Sequence, residues 1–351
     1  MKEFFSSSKQ TISAFLSSYL ETKRKDLQTI NRWSNDTIDN LLSSAIKGKM
    51  VRGSLVLFGA GIQKNTITED AIKAAAALEL FHTALLIHDD IMDQDMLRRG
   101  EKTTHAYYQT VGREDGFTDP THFGHSMAIC VGDIAFFLGF ELLSTLENEK
   151  IRSEIIRIYT SELCAVGIAQ MQDVYFGSHK QPVTEKEVIE MYRYKTARYT
   201  FSLPLKIGAT LISLDSTIAS ELEKFGELLG IIFQIKDDEM GIFGDEKAIG
   251  KSIGSDIREG KKTLYYLGLE KQVSATEREQ LAKIFGNTNL SPEDLSLVYG
   301  LIEKYQVREE VDKTIRSYTE QAKEVLKNIT IDPEHLAILK ELIAYNFERK
   351  K

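Results

Sequence analysis

The sequence has little cysteine, proline or tryptophan: its 351 residues include 2 cysteines, 5 prolines and 1 tryptophan. Cys130 and Cys164 match neither a CxxC pair nor a disulfide pattern. A chain of this length buries enough apolar surface to be stable without disulfides or a structural metal. This cysteine usage is typical of a reducing cytoplasm, where we expect the protein to be located.

The sequence also lacks an excess of positive charge. Its 44 Lys and Arg residues are outnumbered by 52 Asp and Glu residues, which gives a formal net charge of -8. A negative overall field disfavours binding to nucleic acid or to anionic lipid. Any phosphate that the protein binds is therefore expected to meet a local group of basic residues.

Long uninterrupted apolar runs are missing as well. Glu3 and Lys9 interrupt the amino-terminal segment, so we do not expect a signal peptide there. The longest apolar stretch, residues 126–143, contains Asp133 and Glu141. We expect this stretch to be a buried helix and not a membrane span.

The scarcity of proline leaves long stretches in which apolar residues follow the spacing of a helix, without alternating strand patterns or internal repeats. The sequence therefore predicts an all-α fold, a single-domain bundle of long helices around a central cavity over residues 1–351. Two surface loops are expected inside it, Val111–Phe123 and Phe243–Lys262.

Two segments, residues 71–97 and 225–243, are apolar nearly all round, which is typical of helices surrounded by other helices. Each ends in a group of acids. In the first, Asp89 and Asp93 are four residues apart and share one helix face, with Asp90 beside them. Counting back seven and ten residues from Asp89 places His82 and Glu79 on the same stripe.

Gln234, Asp237 and Asp238 form a similar stripe at the end of the second segment. Carboxylates near a helix carboxyl end repel each other and oppose the helix dipole, so a cation is expected to compensate them. Magnesium prefers oxygen ligands and binds carboxylates together with substrate phosphates. Two such clusters facing a cavity predict a magnesium diphosphate site; the alternative is a pair of solvated acidic helix ends.

Basic residues occur in small groups, several of them next to glycine or hydroxyl residues, and these could hold two diphosphates if the fold brings them together. They are Lys49, Arg52, Arg98, Arg99, Lys195, Lys251, Lys261 and Lys262. Individually, each of them is better explained as a solvated surface charge.

Together these segments resemble the trans-polyprenyl diphosphate synthases, the family that includes farnesyl and geranylgeranyl diphosphate synthases. Residues Phe81–His105 resemble the family's first aspartate-rich region with its paired arginines, and Phe233–Asp245 resemble the second. The other similar motifs lie in the same order and spacing; they are KGKMVRG, HFGHSMAICVGD, YKT at Tyr194–Thr196 and GKSIGSDIREGKKTL at Gly250–Leu264. The resemblance covers residues 45–265 with motifs.

The resemblance implies a role for each matching residue. Asp89 and Asp93 would coordinate two magnesium ions and Asp237 a third, supported by Asp90 and Asp238. The allylic diphosphate would be held by Arg98, Lys195, Lys251 and Lys261. Isopentenyl diphosphate would be held by Lys49, Arg52, His82 and Arg99. Thr196 and Gln234 would lie near the reacting carbons.

The implied reaction is a head-to-tail prenyl transfer. Magnesium and the cations stabilise the departing diphosphate, so the allylic carbon–oxygen bond can ionise, and isopentenyl diphosphate then attacks the carbocation. By family analogy the departed diphosphate takes the proton, so His82 is assigned to binding and not to base catalysis. The family also implies a homodimer.

Two competing interpretations remain open at this point. A terpene cyclase would use the same metals but would not need Lys49, Arg52 and Arg99. A non-catalytic subunit of a heteromeric synthase would be expected to lack aspartates of the first cluster, all of which are present here.

The sequence departs from the family pattern at four positions. Met50 and Gly53 stand where a basic residue and a proline are usual, Ala169 replaces a usual glycine, and Gly241 replaces the last aspartate of the second motif.

The product length is expected to depend on bulk along the apolar helix before Asp89. Ala84 is small where shorter-product enzymes of the family carry Phe or Tyr, and Phe81 lies one turn further on. The helix rise puts these residues about 7 and about 12 Å from Asp89 along the axis. We predict a twenty-carbon product, geranylgeranyl diphosphate, with twenty-five carbons or more as the alternative.

Overall fold

The structure, a computed structural model, describes residues 1–63, 66–178, 181–243 and 254–348. The helices of the amino-terminal half are α1 (Lys2–Leu27), α2 (Trp33–Ile46), α3 (Val51–Gly61), α4 (Glu69–Met92), α5 (Thr104–Glu114), α6 (Pro120–Ser144) and α7 (Glu149–Ser178). Those that follow are α8 (Glu185–Tyr192), a π-helix (Arg193–Ser202), α9 (Leu203–Leu211), α10 (Ser216–Phe243), α11 (Ser255–Arg258), α12 (Leu264–Gln272), α13 (Ala275–Ile284), α14 (Pro292–Lys304), α15 (Val307–Lys327) and α16 (Pro333–Glu348).

Within these described ranges the strands are limited to β1 (Leu97–Arg98) and β2 (Glu101–Lys102), which pair in an antiparallel hairpin. The predicted all-α fold is therefore confirmed. The chain divides into two compact units, the first comprising Met1–Thr160 and Leu203–Ala219, the second Ser161–Ser202 and Ser220–Lys351. The expectation of one domain over residues 1–351 stays a prediction.

The core of the first unit is built around α4. Thr68 caps this helix by accepting a hydrogen bond from the N–H of Ala71 at 3.2 Å, and the run Ala74–Ala77 is fully buried. Elsewhere in this unit, α9 packs closely against α3 at Gly208. An ideal Cβ on Gly208 would lie 2.5 Å from the carbonyl oxygen of Val56, so only glycine permits this approach.

The core of the second unit is formed by apolar side chains from α8, α10 and the helices that follow, among them Tyr192, Ile231, Ile235, Tyr265 and Ile302. Two glycines of α10 allow the π-helix to pack against it. An ideal Cβ on Gly230 would lie 2.3 Å from Cα of Ala197, and one on Gly226 would lie 2.7 Å from the backbone nitrogen of Ser202.

The loop predicted at Val111–Phe123 is wrong at both ends. The helix α5 continues to Glu114, and α6 already begins at Pro120. Asp119 caps α6 by accepting from the N–H of His122 at 2.9 Å, and a proline at the first helical position is compatible with helix initiation. Of the second expected loop, residues 244–253 lie outside the described residues, and Ser255–Arg258 form a helical turn.

Two helices in the described part of the chain, α4 and α6, are long and apolar enough to cross a membrane. Of their most apolar windows, 67% and 44% are buried, respectively. The helix α6, which was expected to be buried, leaves one face exposed: Phe137 is 71% and Ile129 47% exposed, and the exposed Asp133 lies between them. The absence of a membrane span stays a prediction.

Candidate active site

Acidic residues gather where α4 ends, in the first unit. The N–H of Asp93 donates to the carbonyl oxygen of Asp89 at 2.8 Å, so the two residues follow each other by one helical turn, as predicted. The Asp89 side chain is partly exposed, whereas Asp90 points inward and is 4% exposed. The three carboxylates thus occupy two different surroundings.

Arg98, in the hairpin after α4, binds Asp90. Its Nε donates to Oδ1 of Asp90 at 2.5 Å, and its Nη2 lies 3.9 Å from Oδ2 of Asp89 and 3.6 Å from Oδ2 of Asp95. Burial raises the pKa of Asp90 to about 7, although the charge of Arg98 acts in the opposite direction. Arg98 therefore neutralises the inner side of this acidic cluster. Asp95 was not assigned from the sequence, although it closes the same run of acids.

A basic group lies further up α4. Nη1 of Arg52 is 3.0 Å from Nε2 of His82. Guanidinium nitrogens are donors only, so Nε2 accepts and the ring of His82 is neutral, with its proton on Nδ1. Desolvation and then the charges of Arg52, Arg99 and Arg98 hold the pKa of His82 well below its usual value.

The other two basic residues assigned to isopentenyl diphosphate, Arg99 and Lys49, lie near the end of α2. Nη1 of Arg99 donates to the carbonyl oxygen of Ser44 at 3.4 Å, which ties it to the end of α2. Lys49 is exposed in the link between α2 and α3. Met50, which replaces a usual basic residue, is buried and accepts a hydrogen bond from Oγ of Ser13 at 3.4 Å. Position 50 therefore faces the core in this chain.

A buried carboxylate accompanies this basic group. Oε1 of Glu79, which is 4% exposed, accepts the N–H of Gly53 at 2.7 Å. Burial raises the pKa of Glu79, against the effects of the Gly53 N–H and of the charges of Arg52 and Arg99. The helical stripe predicted this neighbourhood but gave no role for Glu79.

The second acidic cluster lies in the second unit and is joined by hydrogen bonds. Oγ1 of Thr196 donates to Oε1 of Gln234 at 2.6 Å, and Nε2 of Gln234 donates to Oδ1 of Asp238 at 2.7 Å. The hydroxyl of Tyr192 donates to the other oxygen of Asp238. Asp237, beside them, is exposed. The sequence-predicted residues Thr196, Gln234 and Asp238 are thus brought together.

Asp238 is 5% exposed, and its pKa is raised well above the usual value, first by burial and then by the charge of Asp256. The hydrogen bonds from Tyr192 and Gln234 oppose this rise. Asp237 raises the pKa as well, so three carboxylates meet at this end of α10. Neither Tyr192 nor Asp256 was assigned from the sequence, because neither is adjacent to Asp238 in the chain.

The π-helix presents Lys195 and Thr196. Wide helical turns of this kind often mark functional sites, because they change the direction of side chains relative to an α-helix. Nζ of Lys195 forms an ion pair with Asp173 of α7. Sequence reasoning did not detect Asp173, since the two residues are 22 positions apart and share no motif.

The last basic residues lie after α10. Nζ of Lys261 is 2.5 Å from Oε2 of Glu259, and Nζ of Lys262 lies 4.0 Å from the ring centroid of Tyr266. Lys251 falls outside the described residues, as does Asp245. The motif beginning at Gly250 is therefore placed only from Gly254 onward.

Comparison with known proteins identifies the family of the chain. The polyprenyl synthetase family model matches residues 31–302. Geranylgeranyl diphosphate synthase of Saccharolobus solfataricus is 34% identical over 291 residues, covering 81% of each chain. Geranylfarnesyl diphosphate synthase of Aeropyrum pernix is 29% identical over 310 residues, covering 87% of this chain and 91% of that one.

A solved structure is also similar. Geranylgeranyl pyrophosphate synthase from Corynebacterium glutamicum, crystallised with isoprenyl diphosphate and magnesium, has a TM-score of 0.91 and 30% identity. The match covers 97% of this chain and 98% of that one. As the aspartate-rich motifs indicated, this chain belongs to the polyprenyl synthetase family and is an enzyme, a prenyltransferase of the trans-polyprenyl diphosphate synthase type.

Proposed function

We propose that the protein condenses isopentenyl diphosphate head-to-tail with an allylic diphosphate and that its product is geranylgeranyl diphosphate. The observation that carries this proposal is at α4: His82, which contacts Arg52 of α3, lies about 10 Å along the helix axis from Asp89, so a basic group and the metal-type carboxylates adjoin the same helix. The similarity to geranylgeranyl diphosphate synthases supports the assigned product.

Magnesium fits the residues that are present. Asp89 and Asp93 offer oxygen ligands one turn apart, and Asp237 is exposed beside the buried Asp238. Hard divalent cations prefer such oxygen ligands. We assign two ions to Asp89 and Asp93 and a third to Asp237. The magnesium in the Corynebacterium structure supports the identity of the ion. When bound, the ions stabilise the negative charge that develops on the leaving diphosphate.

The residues around the allylic substrate bind its diphosphate and orient its reacting carbons. Arg98 keeps Asp90 oriented. Arg98, Lys195 and Lys261 are assigned to the allylic diphosphate from their motifs. Lys251 is assigned to the same diphosphate from the sequence. Thr196 and Gln234 form a fixed polar edge beside the reacting carbons, held by Asp238.

The diphosphate of isopentenyl diphosphate is assigned to Lys49, Arg52, His82 and Arg99. The neutral His82 supplies its Nδ1–H, since Nε2 already accepts from Arg52. Because its low pKa keeps the imidazole neutral, His82 acts as a hydrogen-bond donor and not as a proton acid.

The product length is proposed from the wall of α4. Ala84 and Phe81 are both fully buried, and Phe81 packs against Phe140 with ring centroids 4.8 Å apart. This order of a small and then a large residue favours a product whose hydrocarbon chain passes Ala84 and stops at Phe81. A longer product is the alternative, and the similarity to the Aeropyrum geranylfarnesyl diphosphate synthase favours keeping it.

A homodimer in the cytoplasm completes the proposal. Ile129 and Phe137, two large apolar side chains on the exposed face of α6, support association of two copies.

The test is incubation of the purified protein with radiolabelled isopentenyl diphosphate and, separately, dimethylallyl, geranyl or farnesyl diphosphate, with and without magnesium. Products are sized after dephosphorylation. Magnesium-dependent elongation that ends at twenty carbons is expected. Incorporation that ends at another length would refute the assigned product, and folded protein that incorporates nothing would refute the proposed reaction.

A further inference from the structure

The amino-terminal turn of α3 is tied to the middle of α4 by one hydrogen bond, from the Gly53 N–H to Oε1 of Glu79 at 2.7 Å. Arg52 is the residue before Gly53, and His82 lies one turn after Glu79 on the same stripe of α4. This hydrogen bond therefore connects α3, which carries Arg52, to α4, which carries His82.

We propose that Glu79 is a positioning residue of the isopentenyl diphosphate site. It fixes the orientation of the Arg52 guanidinium through its hydrogen bond from the Gly53 N–H and through its own charge. This inference rests on the proposed function, which assigns Arg52 to that diphosphate.

The close approach depends on the glycine at position 53. An ideal Cβ there would lie 2.8 Å from Cδ1 of Ile12, 3.1 Å from Cγ of Glu79 and 3.2 Å from the carbonyl oxygen of Ala75. A proline, which is usual at this position, would also have no N–H to donate. The departure from the family pattern at Gly53 is thus what allows Glu79 to hold α3.

A neutral acceptor such as a Gln side chain would accept the Gly53 N–H equally well. The hydrogen bond alone therefore does not explain why position 79 has a carboxylate. A buried charge is costly unless other charges compensate it. For Glu79 these are Arg52 and Arg99, both of which favour its ionised form. The same two cations disfavour protonation of His82. Glu79 is therefore coupled to the basic residues that are assigned to the diphosphate.

This coupling has a functional consequence. Burial and then the like charges of Arg98 and Arg52 lower the pKa of Arg99, so the guanidinium groups of these arginines repel one another. The attraction between the Glu79 carboxylate and Arg52 opposes this repulsion and keeps the guanidinium in place before the diphosphate arrives, which lowers the cost of ordering it on binding.

The experiment compares the Glu79→Gln variant with the unaltered protein. Calorimetric titration with isopentenyl diphosphate gives the dissociation constant, and steady-state kinetics give KM for each substrate. Gln keeps an oxygen for the Gly53 N–H but removes the charge. We expect the dissociation constant and KM for isopentenyl diphosphate to rise on the order of tenfold, with KM for the allylic substrate unchanged.

Two further variants make the test specific. In an Arg52→Ala background, Glu79→Gln should have no additional effect, because residues that act through one another are not additive. The matched control is Glu69→Gln, an exposed residue at the start of the same helix, which should bind as the unaltered protein does. If Glu79→Gln does not fold, Glu79→Asp retains the charge but shortens the reach to Gly53, and it should weaken binding in the same direction.

Unchanged or tighter binding in Glu79→Gln, or an equal effect in the Arg52→Ala background, would overturn the inference and leave the proposed function intact. If the unaltered protein neither binds isopentenyl diphosphate nor incorporates it, the proposed function itself fails, and the inference fails with it.

Discussion

The carboxylate of Asp256 occupies the space that a side chain on Gly241 would need: an ideal Cβ at position 241 would lie 2.5 Å from Oδ2 of Asp256. Position 241 is where the second aspartate-rich motif usually has its last acid. In this chain a carboxylate is still present there, but α11 supplies it. Its charge raises the pKa of Asp238, so it acts on the same cluster.

Restoring the usual acid by Gly241→Asp is therefore expected to harm the protein. Two carboxylates would compete for one place, and like charges in contact are destabilising. We expect a lower melting temperature and no gain in turnover, measured by thermal unfolding and the radiolabel assay. A variant with higher turnover at unchanged stability would show that the missing acid, and not the position of Asp256, limits the site.

A second prediction concerns the contact between α10 and the π-helix. Gly230→Ala would place its methyl group 2.3 Å from Cα of Ala197, which is backbone and cannot move aside. Overpacking of this kind costs about 1–3 kcal/mol, and here it would displace the turn that carries Lys195 and Thr196. We expect lower stability in denaturant unfolding together with lower activity.

Gly300→Ala is the matched control for this variant. Gly300 lies in α14, and an added methyl group there meets nothing within 4 Å. In a helix this change is expected to be neutral or to stabilise by about 0.5–1 kcal/mol. Equal behaviour of the two variants would refute the tight contact at Gly230.

The helices that carry the acidic clusters could be predicted from the sequence because apolar continuity is a local signal. The expected segment 71–97 is α4, although the helix ends at Met92, after which Gln94 adopts a positive φ of 57°. The expected segment 225–243 is the end of α10. The π-helix could not be predicted, because its wide turns are stabilised by tertiary packing against Gly226 and Gly230 and not by local preference.

The site was predictable to the extent that motifs mark it. Asp89, Asp93 and His82 lie where their spacing on one helix indicated. The partners of the basic residues, such as Asp173 for Lys195, depend on how separate elements pack, and no spacing rule predicts them. The same holds for Asp256, whose importance appears only next to Gly241.

A third prediction tests the proposed floor for the growing chain. Phe81 is fully buried among Phe140, Tyr159 and Phe136, and Gly139 leaves room for its ring: a Cβ there would lie 2.5 Å from Cε1 of Phe81. Phe81→Ala should lengthen the products, since it opens space below Ala84. It should also lower stability by about 3–5 kcal/mol, because it leaves a cavity in the core.

The opposite change provides the control for chain length. Ala84→Phe should shorten the products, because bulk is added about 7 Å from Asp89 along the helix axis. Both distributions are measured by chromatography of dephosphorylated products. If Phe81→Ala leaves the distribution unchanged while the protein remains folded, Phe81 packs the core and does not set the length.

A fourth prediction addresses association. Phe137 is 71% exposed on α6. It lies one turn after the exposed Asp133, and Ile129 lies one turn before Asp133. Phe137→Glu should convert the proposed dimer into a monomer in sedimentation experiments, since a charge would be desolvated at the interface. Phe117→Glu, at a residue 45% exposed in the link between α5 and α6, is the control. A dimer that persists in Phe137→Glu would exclude this face as the interface.

A fifth prediction follows from Asp90. Its pKa of about 7 in the metal-free protein means that the carboxyl group is largely protonated below this pH. A divalent cation at Asp89 and Asp93 favours the ionised form of its neighbour, so binding of magnesium should release a proton. The sign is fixed by this linkage: magnesium affinity should fall as the pH decreases from 8 to 6, approaching about tenfold per pH unit below the pKa.

Calorimetric titration with magnesium at several pH values, in two buffers with different ionisation enthalpies, measures both the affinity and the number of protons released. Asp90→Asn should flatten the pH dependence, because the titrating group is gone while Asp89 and Asp93 remain. Affinity that is constant from pH 6 to 8 in the unaltered protein would mean that Arg98 already keeps Asp90 ionised, since the short contact between them favours that form. The pH slope therefore measures whether burial or the Arg98 ion pair determines the charge of Asp90 beside the metal ligands.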